Sequence, residues 1–118
     1  MIREFQDLYV WQKAHQLTLC IYKATRDYPQ SEEFSLTSQI RKAAVSVCAN
    51  IAEGKKKKTR DFARFLQISH GSLEEIKYYL ILSCDLGYLE EAESRRMYEE
   101  AEEVGRMLHG LRSKLESR

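Results

Sequence analysis

A single proline and five glycines in 118 residues leave few places for the chain to turn. An all-β protein needs many turns, so this composition disfavours one and makes helix the default. Cysteine is equally sparse: Cys20, Cys48 and Cys84 are widely spaced in apolar runs, with no CxxC pair among them. That spacing supports neither a zinc site nor a dithiol redox motif, and the expectation is free, buried thiols in a cytoplasmic protein. No uncharged stretch approaches the roughly 20 residues of a membrane span. The opening segment, from Met1 to Trp11, carries acids where a secretory leader has an apolar core. A Gly-rich phosphate loop, a nucleophile elbow and a paired-carboxylate constellation are missing too, so a non-enzymatic protein without a cofactor is expected.

What the chain does have is enough apolar residue for one core. Apolar types make up 43% and charged types 31%, the balance of a folded chain, and residues 1–118 are read as one domain. The net charge of +1 conceals a strong asymmetry. Arg41–His70 holds eight basic residues against Glu53 and Asp61, giving +6, while residues 1–40 sum to −1 and residues 71–118 to −4.

Hydrophobic spacing predicts four helices. Val10, Ala14, Leu17, Ile21, Ala24 and Tyr28 step by fours and threes from a cap at Asp7 to about Asp27. A second helix is predicted from Ser31 or Ser35 to Gly54, with Leu36, Ile40, Ala43, Ala44, Val47 and Ile51 on its main face and Gly54 as a left-handed terminator. The third runs from Thr59 to Asp85, closed by Gly87, on Phe62, Phe65, Leu66, Leu73, Ile76, Leu80 and Ser83. The fourth covers about Glu90 to Leu115 on Met97, Ala101, Val104, Leu108, Leu111 and Leu115. Short connections between such helices favour an antiparallel, up-down-up-down four-helix bundle, with the Lys55–Lys58 loop at the end that holds both termini. Helices two and three are apolar nearly all round, because Val45, Cys48, Ala49 and Ala52 add a second face and Tyr78–Leu82 circles the third. The economical account is burial of those outer faces between subunits of a homo-oligomer.

The string from Leu36 through Gln39-Ile40-Arg41-Lys42-Ala43-Ala44 and Ser46 to Asn50-Ile51-Ala52-Glu53-Gly54 resembles the four-helix-bundle proteins encoded in intervening sequences of bacterial 23S rRNA genes. Phe62-Ala63-Arg64-Phe65-Leu66, Gly71-Ser72-Leu73-Glu74-Glu75, Leu86-Gly87-Tyr88 and the opening Phe5-Gln6-Asp7-Leu8 with Trp11 extend the resemblance over almost the whole chain. It implies a ring-like homo-oligomer, a pentamer. It also implies similarity to accessory proteins of diversity-generating retroelements, which contact a reverse transcriptase and RNA. Cys48 departs from the family pattern, where many relatives carry proline.

The functional signal is the run Lys55, Lys56, Lys57 and Lys58, flanked by Arg60 and Arg64, with Arg41 and Lys42 contributing if oligomer geometry brings them near. Such a run suits phosphate neutralisation by charge, repeated around a ring, and the expected ligand is nucleic acid, RNA first. No aromatic interleaves the lysines, so readout is expected to follow the backbone rather than the bases. If about six phosphates are neutralised, log affinity falls with log salt at a slope of roughly −4 to −5. The alternative is a protein scaffold or adaptor whose lysines only solubilise it. A remoter one is a helical ribonuclease, from the Arg64-x5-His70 pattern, although that spacing turns the two side chains about 240° apart on a helix. His15, His70 and His109 lack the preceding Glu-x-x of a di-iron bundle. Asn50 and Glu53 are expected to fix helix register. Gly71 and Ser72 are expected to pack against Ala43, Ala44 and Ser46, with Glu75 a candidate partner for Arg41 or Lys42.

Overall fold

The computed structural model describes residues 4–117, and within them all regular structure is helical, with no strand. Residues 1–3 of the opening segment, on which the expectation about a leader partly falls, lie outside the described residues. Four helices, α1 (Tyr9–Thr25), α2 (Leu36–Lys55), α3 (Thr59–Asp85) and α4 (Glu91–Glu116), form a body of 46 × 23 × 22 Å. Two single 3-10 turns, Phe5–Asp7 and Gln30–Glu32, precede α1 and α2. None of the helices is long and apolar enough to cross a membrane.

Consecutive helices pack on one another, and α1 also meets α4. The predicted seams make the core. Leu17, Ile21, Ile40, Val47, Ile51, Leu66, Leu73, Ile76, Leu80, Met97, Val104 and Leu108 are all at most 2% exposed. Burial of each such side chain contributes about 1.5–3 kcal/mol, which is why spacing alone located them. Leu111 and Leu115, near the end of α4, are only half-buried.

Several core hydroxyls are satisfied locally or across helices, whereas Tyr28 Oη and Ser83 Oγ are buried without a hydrogen-bond partner among the described residues. Thr18 Oγ1 donates to Ala14 O at 2.9 Å and lies 3.3 Å from Ala44 O and 3.4 Å from Cys48 Sγ. Ser69 Oγ donates to Val47 O at 2.9 Å, and Ser94 Oγ to Leu80 O at 3.1 Å. Asn50 Nδ2 donates to Ser46 O at 2.8 Å and Ser46 Oγ at 3.0 Å, and Ser46 Oγ meets Ser72 Oγ at 2.8 Å. Asn50 therefore acts through Ser46 on the α2–α3 register, a structural use of a half-buried amide.

Several local expectations need correction. Asp7 ends a 3-10 turn rather than capping α1, whose N-cap is Leu8. Gly54 is inside α2, not a left-handed terminator, and among the described residues Gly87 alone has a positive φ, at 81°. A Cβ on Gly54 would sit 2.7 Å from Phe65 Cβ and 2.9 Å from Phe62 Cδ1, so its missing side chain lets α3 approach α2. Gly71, expected to pack on α2, faces outward, and a methyl group added there would meet nothing within 4 Å. Ser72 carries the expected contact to Ser46 instead.

Candidate nucleic-acid interface

The end of α2 and the start of α3 bring most of the basic cluster together because only Lys56–Lys58 separate the two helices. Lys55 is the last residue of α2, and Arg60 and Arg64 lie on the first turns of α3. Lys57 reaches back to Glu53 at 3.6 Å and lies 6.0 Å above the Phe65 ring. Arg64 meets Asp61 at 3.7 Å. Both pairs are exposed, so each is worth only a few tenths of a kcal/mol up to about 1 kcal/mol. Lys55, Lys56, Lys58 and Arg60 make no ion pair among the described residues. The C-terminal dipole of α2 and the N-terminal dipole of α3 oppose each other here, leaving the side chains to set the sign of the field.

Two grooves flank this loop. On the α3 side, Thr59, Arg60, Arg64 and Gln67 face Leu115 and Glu116 of α4 across about 640 Å³. On the α2 side, Phe5 and Gln6 face Ala49, Ala52, Lys55 and Lys56 across about 670 Å³. Glu4, Phe5 and Gln6 on one side, and Leu115 and Glu116 on the other, thus lie alongside the loop.

Arg41 and Lys42 are elsewhere. They precede Lys55 by more than three turns of α2, about 20 Å at 1.5 Å per residue. Arg41 is held on α1: its Nε donates to Thr25 Oγ1 at 2.8 Å, its Nη2 to Tyr22 O at 3.3 Å, and its guanidinium lies 4.6 Å above the Tyr22 ring. Among the described residues, no ion pair joins Glu75 to Arg41 or Lys42. Lys42 lines a groove of about 560 Å³ with Tyr22, Phe34, Arg41 and Val45. Within one chain these two cations do not extend the loop cluster.

Arg64 and His70 line separate grooves on α3. His70 packs beside Gly105 with its Nε2 3.9 Å from Glu74 Oε1, in a groove with Lys77, Arg106 and His109. Among the described residues, no three His, Cys, Asp or Glu side chains converge as a metal site. Cys20, Cys48 and Cys84 are free and half-buried. Burial pushes the Cys48 thiol above its ordinary pKa, while its contact with Thr18 acts the other way.

Apolar residues remain on the surface of α2 and α3: Val45, Ile68, Tyr78 and Ile81 are exposed by 46–57%. Leu19 and Tyr22 of α1, and Phe34 ahead of α2, are exposed as well, a set that hydrophobic spacing did not single out. Nor did spacing find Phe5 beside Lys55, since 50 positions separate them and only the fold joins them.

Comparison with known proteins agrees with this architecture. No curated protein matches the chain. A crystal structure of a protein with unknown function from the S23 ribosomal protein family of Bacteroides thetaiotaomicron VPI-5482 superimposes with a TM-score of 0.77 at 24% identity. The alignment covers 86% of this chain and 96% of that one, and it establishes likeness of fold. The 23S rRNA-intervening sequence protein family matches residues 6–110. With nearly the whole chain inside that match, the protein belongs to the 23S rRNA-intervening sequence protein family.

Proposed function

We propose that the chain is an antiparallel up-down-up-down bundle whose copies form a ring-like homo-oligomer, a pentamer. In this reading it binds nucleic acid, RNA first, through the loop between α2 and α3 and catalyses no reaction. The observation that carries the reading is the set of four cations, Lys55, Lys56, Lys58 and Arg60, which make no ion pair among the described residues. Lys57 and Arg64 add to it because their pairs are exposed and weak. Solvation alone offers no reason to concentrate so many like charges at one junction, whereas a polyanion recovers the repulsion as binding energy.

The bundle topology is supported by paired cross-helix contacts that run in opposite senses: Thr18 to Ala44 and Thr25 to Arg41 between α1 and α2, Ser46 to Ser72 and Gly54 to Phe65 between α2 and α3, and Leu80 to Ser94 and Leu73 to Gly105 between α3 and α4. Val45, Ile68, Tyr78 and Ile81 supply apolar area for contact between copies. Arg41 and Lys42 would join the binding surface only from a neighbouring copy. A nucleic-acid-processing protein is a further candidate partner, and a cytoplasmic location fits all three partners.

A gel-shift titration with structured RNA, single-stranded DNA and duplex DNA at two salt concentrations tests this. Four phosphates contacted per subunit give a slope of log affinity on log salt near −3 to −4, steeper if Lys57 and Arg64 join. Charge reversal at Lys56 and Lys57 should abolish binding. A salt-independent affinity, or one indifferent to that reversal, refutes the reading and favours the protein-scaffold alternative.

A further inference from the structure

We infer that the groove between Phe5 and the end of α2 is a base-stacking subsite, so that the preferred ligand is a single strand with unpaired bases. This rests on the nucleic-acid reading of the loop and adds the class of ligand. The groove is about 670 Å³ and has three kinds of wall. Phe5 offers a half-exposed ring on one side. Ala49 and Ala52 of α2 form a floor of small side chains that leaves room for a planar group. Lys55 and Lys56, at the rim, are free to meet the phosphates on either side of that group.

The ring is already positioned. Phe5 meets Trp11 edge-to-face, with centroids 5.1 Å apart and planes at 81°, and Trp11 stacks on His15 at 4.9 Å and 11°. Gln12 Nε2 donates to Gln6 O at 2.8 Å and ties the segment to α1. An aromatic platform held in this way loses little freedom when a base lands on it. Glu4 and Glu53 also line the groove. The Glu4 side chain closes a capping box with Asp7, and Glu53 lies 3.6 Å from Lys57 in an exposed, weak pair. A base enters between the two acids while its phosphates are met by Lys55 and Lys56. A base in a duplex has no free face to offer, whereas an unpaired base does, and every base has a stacking face. Selectivity for strandedness without sequence preference follows.

Trp11 is the chain's one tryptophan and touches Phe5, which makes it a reporter inside the wild-type protein. Titration with oligouridylate, an abasic strand of equal length and duplex RNA, at matched salt, tests the inference. Oligouridylate should change Trp11 emission and bind roughly 5- to 150-fold more tightly than the abasic strand, the range expected for stacking of one base. The abasic strand and the duplex should leave the emission unchanged. Phe5→Leu keeps an apolar contact to Trp11 but removes the stacking face; it should erase the preference and leave the salt slope intact, while Phe5→Tyr should retain both. Equal, salt-dependent binding of base-bearing and abasic strands by the wild type overturns the subsite and leaves the loop reading standing. Absence of binding by every probe at low salt overturns both.

Discussion

Replacing Gly54 with alanine should destabilise a helix that, on backbone grounds alone, the change would strengthen. Glycine within a helix costs about 1 kcal/mol relative to alanine, so an unobstructed site would gain that much. At position 54 the new methyl falls 2.7 Å from Phe65 Cβ and 2.9 Å from Phe62 Cδ1. The Phe62 ring can rotate aside, but Phe65 Cβ is fixed to the α3 backbone, so the two helices have to separate by several tenths of an ångström. Overpacking of that kind costs about 1–3 kcal/mol, and the short distance places it at the upper end. The net loss is about 1–2 kcal/mol, a fall in Tm of about 5–10 °C for a domain of this size. Gly71→Ala is the internal control. Its methyl meets nothing within 4 Å, so it should gain up to about 1 kcal/mol and melt about 5 °C higher. Thermal and urea unfolding followed by circular dichroism, at one fixed protein concentration, measure both. A Gly54→Ala protein that melts at or above the parent temperature would refute the close-approach argument.

Arg41→Ala removes the bond to Thr25 Oγ1, the bond to Tyr22 O and the stacking on the Tyr22 ring, and should lower stability by about 1–2 kcal/mol in urea unfolding. The Glu32 carboxyl is held below its ordinary pKa, first by the Ser35 hydroxyl and then by the Tyr88 hydroxyl, which donates at 2.9 Å. With the folded value lowered, its contribution is present above the ordinary glutamate pKa and fades as pH falls through the folded one. In a carboxylate NMR titration, Tyr88→Phe should move the Glu32 midpoint upward. Cys48, its thiol pushed up by burial, should stay protonated at neutral pH and react with a thiol reagent more slowly than it does after unfolding.

Helix number and core positions were legible because burial repeats with the helical period: every residue named for the main face of α2 is buried, as are Met97, Ala101, Val104 and Leu108 of α4. The roles of the glycines were not. Gly54 makes the close approach expected of Gly71, since whether a helical glycine meets a neighbour depends on helix rotation and on which side chain lies opposite. The basic loop was legible as a run of like residues. Its neighbours were not, because Phe5 and Leu115 reach it through the tertiary arrangement. Arg41 illustrates the opposite limit: a cation next to Lys42 in sequence is committed to Thr25 and Tyr22, which no local pattern announces.

The bare backbone at Gly54 has a mechanical effect on the cationic junction. Where α3 leans directly on α2, the three intervening lysines have their anchor points clamped a few ångströms beneath them, and Lys55 and Arg60 ride on rods rather than on a tether. On the proposed function, a polyanion would meet a comb of cations whose two ends stand on helices, so that binding would settle mainly side-chain rotamers.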